Sequence, residues 1–278
     1  MINGRTRLFG ILGNPVAHSL SPALHNAAFK ECRINAVYVP LAASDLEAAL
    51  AGIKAFSFAG VSVTVPHKVA IMPLLDAIDP VAEKIGAVNT LVFKRKADGR
   101  LHCTGLNTDW IGANASLAEA IRLSGASALI LGAGGAARAV AFGLQEAGVR
   151  VLIHNRSEDR GRKLATQLDC PYLTANELHD LRAEILVNAT SVGMEPETDA
   201  IPLEADLLSN FQVVMDIVYA PVETRLLREA AARGCKTVPG TNMLLYQATA
   251  QWRLWLGEEA PVEVMRAALT EGLSRQQE

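Results

Sequence analysis

The sequence carries no surplus of positive charge. Lysine and arginine number 26 against 29 aspartates and glutamates, a net charge of −3, without the basic footprint of a nucleic-acid binder. Long apolar runs are missing too. Gly, Pro or Arg breaks every uncharged stretch well short of the ~18 apolar residues of a membrane helix. The first residues, MINGRTRLFGILGNPVAHS, hold no apolar stretch leading to a cleavage-like site, so no secretory signal is expected. Cysteine is scarce and scattered. Cys32, Cys103, Cys170 and Cys235 form no CxxC pair and no metal-ligand spacing, and read as reduced thiols of a cytoplasmic protein without a metal centre. Against these absences, half of the 278 residues are hydrophobic and 20% charged, ample material for buried cores. At roughly 150 residues per domain, two domains are expected.

Short Val- and Ile-rich runs alternate with helical stretches along the chain. Strands are expected at Arg7–Leu12, Ala36–Pro40, Gly60–Val65, Leu91–Phe93, Ala128–Leu131, Val149–His154, Ile185–Asn188 and Val213–Ile217. Ser44 with Glu47, and Thr174 with Glu177, have the spacing of a helix-opening capping box. Gly234 suits a helix C-terminus and Pro261 a helix start. This alternation predicts α/β layers with mostly parallel sheets. The polar turn Lys94–Arg100 and a fresh strand–helix series from Ala128 place a boundary near Gly105–Asp109. The series runs out at Pro239–Gly240, and the helical remainder, with Trp252 and Trp255 as core or interdomain anchors, is expected to pack back on the first domain. One domain is then residues 1–106 plus 241–278, the other 107–240.

The expected strand Ala128–Leu131 runs into Gly132-Ala133-Gly134-Gly135-Ala136-Ala137-Arg138. A glycine-rich strand-to-helix turn lets backbone N–H groups approach a pyrophosphate. Ala137 stands where the usual fingerprint has its third glycine, and still allows close helix–strand contact. At the tip of the next strand an NAD site would carry a carboxylate for the ribose hydroxyl. Here the chain has Asn155-Arg156-Ser157 and then Arg160, groups suited to a 2′-phosphate, so NADP is expected instead.

The first half gathers polar residues at strand ends. In Asn14–Pro22, Ser19 and Ser21 stand two apart, on one face if the segment is extended, with Ser21 also placed to cap a helix opened by Pro22. In Gly60–Lys68, Ser62 and Thr64 share one strand face, Pro66 ends the strand, and Lys68 follows at the edge where open α/β sheets bind ligands. Gly86–Thr90 and Gly105–Asp109 add two Asn-Thr pairs. Together these supply hydroxyl, amide, ammonium and carboxylate groups fit for a small polyol acid.

With these motifs in order, the chain resembles the shikimate dehydrogenase family over essentially its whole length. The resemblance rests on Asn14–Asn26, Gly60–Lys68, Gly86–Thr90, Gly105–Asp109, Gly132–Arg138, Asn155–Ser157, Asn188–Met194, Asp216–Tyr219 and Gly240–Gln247. It implies an N-terminal α/β substrate domain and a Rossmann-like NADP-binding domain, with the active site in the cleft between them. It implies NADPH-dependent reduction of 3-dehydroshikimate to shikimate in aromatic amino-acid biosynthesis. Substrate contacts carry over to Ser19, Ser21, Thr64, Lys68, Asn89, Asp109, Tyr219 and Gln247. Cofactor contacts carry over to Gly132, Ala133, Gly134, Gly135, Ala136, Asn155, Arg156, Ser157, Arg160, Ile217 and Gly240, with Thr190 and Met243 as further neighbours. The expected partners are NADP(H) and the small-molecule substrate, with no nucleic acid and no membrane, for a monomer or homodimer. One position departs: the family usually has asparagine where this chain has Ser62, whose shorter arm gives a weaker or water-mediated substrate contact.

Reducing a ketone requires a hydride for carbon and a proton for oxygen. Lys68 is the expected proton donor, as an ammonium that also polarises the carbonyl, with Asp109 as its carboxylate partner. His18 and His67 are expected to be structural or to support neighbouring site residues from behind. Met243 and Gln247, four apart on a helix, share a face. Two alternatives stay open on the sequence: a quinate or amino-shikimate dehydrogenase of the same superfamily, and a non-catalytic shikimate- or NADP-binding regulator.

Overall fold

The computed structural model describes residues 2–276. Its first half runs β1 (Arg7–Gly13), α1 (Ser21–Glu31), β2 (Ala36–Ala42), α2 (Leu46–Ala55), β3 (Gly60–Val63), the one-turn α3 (His67–Ala70), β4 (Ala77–Ile78), α4 (Pro80–Ile85), β5 (Thr90–Arg95) and β6 (Leu101–Leu106). There follow α5 (Asp109–Ala118), β7 (Ser127–Leu131), α6 (Gly135–Glu146), β8 (Arg150–His154), α7 (Glu158–Gln167), β9 (Ile185–Asn188), β10 (Val213–Asp216), α8 (Arg225–Ala232), β11 (Lys236–Val238), α9 (Gly240–Leu256) and α10 (Val262–Gln276). The chain divides into two units, Met1–Thr108 with Gln247–Glu278, and Asp109–Tyr246. Among the described residues no helix is long and apolar enough to cross a membrane.

In the first unit the sheet order is β2-β1-β3-β5-β6-β4. β1 runs parallel to β2 and β3, whereas β5 is antiparallel to β3 and β6 antiparallel to β5. The sheet is therefore mixed, but only β5 is reversed and β4 again runs parallel to β6, in line with the mostly parallel sheets expected. The polar turn Lys94–Arg100 closes the β5–β6 hairpin, helped by Gly99 at φ +82°. Alternation along the strands serves two cores. Leu12, Val61, Val63, Leu91 and Cys103 pack with Leu50, Ile53 and Ile71 on one side. On the other, Phe9, Phe29, Tyr38, Trp252 and Trp255 make a contiguous aromatic cluster. Both tryptophans are thus core anchors of this unit. Trp255 lies over Gly60, where any Cβ would overlap the indole, and donates from Nε1 to the Leu91 carbonyl at 3.0 Å.

The second unit holds an all-parallel sheet in the order β11-β10-β9-β7-β8. Both faces are covered. Ala128 and Ile130 of β7 join a core with α5, α6 and α7, while Leu129 and Leu131 join another with α8. Near-continuous apolar strands are what burial on both faces requires. The chain leaves β7 for β8 at one edge and returns to β9 on the other side of β7, so the winding reverses between β7 and β9.

Local expectations needed several corrections. The cap of α2 is Asp45 and not Ser44: its carboxylate accepts from the Ala48 N–H at 3.0 Å, and the helix starts one residue later than the Ser44–Glu47 spacing implies. A carboxylate also complements the positive helix end. Thr174 and Glu177 do bond each other, but they open only a 3-10 turn over Asn176–Leu178. Regular β3 stops at Val63, although the Thr64 N–H still bonds the Leu12 carbonyl and the Asn14 N–H the Val65 carbonyl before the chain turns, with the His67 N–H donating back to the Thr64 carbonyl. β4, β6 and β11 escaped the sequence pattern: two are only two or three residues long, and β6 alternates through polar residues and Gly105. Gly234 at φ +83° follows α8, and Pro261 accepts the first turn of α10, as expected.

The corrected cap gives a direct prediction. Asp45→Ala should cost ~1 kcal/mol of unfolding free energy, and Ser44→Ala less than ~0.5 kcal/mol. Urea denaturation of both variants checks it; the larger loss at Ser44 would restore the capping box.

Candidate active site

The mixed sheet of the first unit explains where its polar residues go. β1, β3 and β6 all end at one edge, and antiparallel β5 begins there. Ser19 and Ser21 therefore follow β1, Thr64 and Lys68 follow β3, Asn89 immediately precedes β5, and Asn107 and Thr108 follow β6. Residues from four separate motifs converge because one strand is reversed.

Asn89 knots this edge together. It is 2% exposed. Its Oδ1 accepts from the Thr108 N–H and from the Thr90 hydroxyl, both at 2.7 Å, and its Nδ2 donates to Thr108 Oγ1 at 3.0 Å. Its carbonyl takes the Val63 N–H at 2.7 Å, and its N–H bonds the Leu106 carbonyl at 3.0 Å. The adjoining Val88 N–H donates to the Lys68 carbonyl at 2.8 Å. So the backbone of Lys68 and the residue just before Asp109 are both fixed through the Val88–Asn89 segment. Lys68 itself lies in the short α3 and is half-buried. His67 is structural, as expected: buried, with Nε2 2.7 Å from the Ala43 carbonyl oxygen. His18 is exposed.

Ser19 and Ser21 do not lie in an extended stretch. Ser21 is already helical, and its side chain is no cap; the Ser19 hydroxyl instead accepts the Ser21 N–H at 3.3 Å. Ser21 is buried beside the Tyr38 phenol. Tyr38 in turn donates to Ser62 Oγ at 2.7 Å, Ser62 to Gln251 Oε1 at 2.9 Å, and Gln251 Nε2 to Thr90 Oγ1 at 3.0 Å. Burial pushes the Tyr38 phenol well above its ordinary pKa, so it stays a donor, and pushes His25, stacked on it at 4.5 Å, down to about 3. The single hydrogen of Ser62 is thus committed inside the protein, and what the residue can still offer is oxygen. Tyr38 and Gln251 were not singled out from the sequence. The available signal was Gln251, one turn beyond Gln247 on α9 and buried beside Trp252.

In the second unit, β7 delivers Gly132 at φ +121°, where a Cβ would lie 2.9 Å from the Ala189 carbonyl oxygen. Only glycine fits that close approach of the two strand ends. Gly134 precedes α6 without any side-chain cap, and the space above its Cα is open to 4 Å. Uncapped N–H groups under an open glycine face fit a pyrophosphate. Ala136 follows in the first turn, and Ala137 is fully buried against the sheet. This turn sits between β7 and β9, at the switch point where parallel α/β sheets take ligands. Arg156, Ser157 and Arg160 are exposed beyond β8. Among the described residues no cluster of His, Cys, Asp or Glu could hold a metal.

The ends of β9 and β10 are tied by a buried polar clasp. Asp216, fully buried, accepts from Asn188 Nδ2 at 2.9 Å, the Val218 N–H at 3.0 Å and the Thr224 hydroxyl at 2.7 Å. Asn188 Oδ1 accepts from both the N–H and the hydroxyl of Thr190. Ile217, Tyr219 and Thr190 all hang from this clasp. Gly240, opening α9, lies so close to it that a Cβ would meet the Ile217 carbonyl oxygen at 2.5 Å. Met243 and Gln247 are both buried on α9. Asp109, the first residue of α5, is 4% exposed.

A parallel, switch-point sheet with a glycine turn and arginines just beyond its second strand defines a dinucleotide-binding α/β protein, here joined to a unit with a polar sheet-edge site. Comparison with known proteins narrows the class. Residues 11–91 match the shikimate dehydrogenase substrate binding domain, 115–195 the shikimate/quinate 5-dehydrogenase family, and 240–270 the shikimate 5′-dehydrogenase C-terminal domain. The NADP(+) shikimate dehydrogenase of Moorella thermoacetica is 46% identical, over 98% of this chain and 95% of that one. A solved shikimate dehydrogenase in complex with NADP+ is 40% identical with a TM-score of 0.91, covering 98% of each chain. The Thermus thermophilus enzyme, solved with NADP(H) and shikimate, is 40% identical with a TM-score of 0.87, covering 96% of this chain and 100% of that one. The chain belongs to the shikimate dehydrogenase family.

Burial pushes the Asp216 carboxyl up from its ordinary value to about 6, against the opposing pull of its three hydrogen-bond donors. A carboxyl with a raised folded-state pKa adds stability below its unfolded pKa, and that contribution is lost as pH rises through the folded value. The stability of the natural protein relative to Asp216→Asn should therefore fall by about 2 kcal/mol between pH 4 and pH 7. Urea unfolding of the pair across that range measures it; parallel profiles would contradict the shift.

Proposed function

We propose that this chain reversibly reduces 3-dehydroshikimate to shikimate with NADPH, a step of aromatic amino-acid biosynthesis, in the cytoplasm and as a monomer or homodimer acting on small molecules alone. The observation that carries the reading is the Asn89 knot, which holds the chain beside Lys68 and beside Asp109, in a chain whose relatives include enzymes named NADP(+) shikimate dehydrogenase. The first unit supplies substrate contacts from Ser19, Ser21, Thr64, Asn89 and Gln247, with Ser62 contributing oxygen only, and Tyr219 adds a hydroxyl. The glycine turn Gly132–Ala136, with Asn155, Arg156, Ser157, Arg160, Thr190, Ile217, Gly240 and Met243, holds the cofactor.

NADPH, when bound, supplies a hydride to the carbonyl carbon of the substrate. Lys68 polarises the carbonyl oxygen as an ammonium and gives it a proton, so that C=O becomes CH–OH. Asp109 is the carboxylate partner in the proton step and accepts a hydrogen bond from a substrate hydroxyl. In the reverse direction the Lys68 amine must take the proton from the alcohol, so the oxidation rate rises with pH. Arg156 and Arg160 favour the 2′-phosphate of NADP over the bare ribose of NAD.

Lys68→Ala should lower turnover by roughly 100- to 10,000-fold while NADPH still binds, as read by steady-state kinetics alongside calorimetry. A loss of only a few-fold would remove Lys68 from the proton step.

A further inference from the structure

Tyr172 lies outside every motif described so far, yet it touches the loop that would read the cofactor. Its backbone pairs with Ile153 of β8, flanked by bonds from the Ile153 N–H to the Pro171 carbonyl at 3.0 Å and from the Leu173 N–H to the Ile153 carbonyl at 2.8 Å. This anchors the residue alongside the end of β8. From there the phenol hydroxyl donates to the Asn155 carbonyl oxygen at 3.2 Å. Asn155 Nδ2 closes the same loop by donating to the Ser157 carbonyl at 2.8 Å. The loop carrying Arg156 is thus shaped by one bond within it and one tether from outside.

The ring reaches that carbonyl only because α7 has no side chain at Gly161. That glycine is buried and helical with no positive φ, so backbone conformation does not demand it. A Cβ there would overlap the Tyr172 ring edge and come within 3.1 Å of Asn155 Cβ. Glycine inside a helix is destabilising relative to alanine, a cost that here makes room for the ring. Besides His154, stacked at 6.3 Å, the ring neighbours Arg162, whose guanidinium lies over it at 4.8 Å and pairs with Glu158 at 2.6 Å. Arg162 is thereby tied to α7, while Arg156 and Arg160 are exposed at the end of β8 and the start of α7.

We infer that Tyr172, seated in the gap at Gly161, is a positioning residue for cofactor choice: it holds Asn155–Ser157 in the shape that presents Arg156 to a 2′-phosphate. The inference rests on the NADP reading above and names the residue pair that supports it. Adenosine 2′,5′-bisphosphate and 5′-AMP, which differ by the 2′-phosphate alone, separate this role from general stabilisation. Their dissociation constants would be measured by calorimetry on the full chain and on Tyr172→Phe, Tyr172→Ala, Gly161→Ala and the double variant Gly161→Ala/Tyr172→Ala. Tyr172→Phe, which loses one hydrogen-bonding atom, should weaken the bisphosphate about fivefold, and Gly161→Ala about tenfold or more. Binding of 5′-AMP should change by less than about twofold. Because the overlap with the ring is the larger conflict at Gly161, with Asn155 Cβ only a tight contact, the double variant should fall little further than Tyr172→Ala. Equal weakening of both probes, or no weakening in Tyr172→Phe, would overturn the inference while leaving the NADP reading intact. A natural protein that fails to prefer the bisphosphate would overturn both.

Discussion

A carboxamide buried as deeply as Asn89 must have its donors and acceptors met by protein, since leaving them unmet costs ~1–3 kcal/mol each. Here its bonds run to Thr90, Thr108, Val63 and Leu106, drawing together the ends of β3 and β6 and the start of β5. Lys68 and Asp109 sit at the margins of those same segments. Behind the knot, the chain Tyr38–Ser62–Gln251–Thr90 carries the constraint to α9. The site is consequently backed by polar groups that are mutually satisfied, the condition under which a buried network rigidifies its surroundings.

The second unit applies the same device to the cofactor side. Asp216 and Asn188 are buried polar groups whose partners are the loops that present Thr190, Ile217 and Tyr219. Two glycines complete the arrangement by allowing backbone to touch backbone: Gly132 against Ala189, and Gly240 against Ile217. Both motifs were visible as sequence strings, but their purpose is packing around the strand ends as much as contact with a ligand.

The strands legible in the sequence were those with uniform apolar character, such as Val213–Asp216, where burial on both faces leaves no ambiguity. β6 was not, because its alternating polar residues and Gly105 resemble a loop until the hairpin partner is known. The reversal of β5 was equally hidden, since strand direction is a long-range property. The glycine turn and Asn155–Ser157 were readable because backbone conformation and charge are local requirements. Ser62 illustrates the limit. Its identity could be compared with the family's asparagine, but its engagement with Tyr38 and Gln251 depends on residues far apart in the chain. Tyr172 and Gly161 were invisible for the same reason: each is ordinary until the other is placed beside it.

The most direct test is a crossed oxidation assay: shikimate or quinate with NADP+ or NAD+, followed by the ultraviolet absorbance of the reduced nicotinamide. The predicted result is rapid reduction of NADP+ with shikimate, with the other three combinations far slower. Preference for quinate or for NAD+ would contradict the assigned substrate or the role of the Arg156 loop. No turnover in any combination, from folded protein that binds NADP+, would contradict the enzymatic assignment itself.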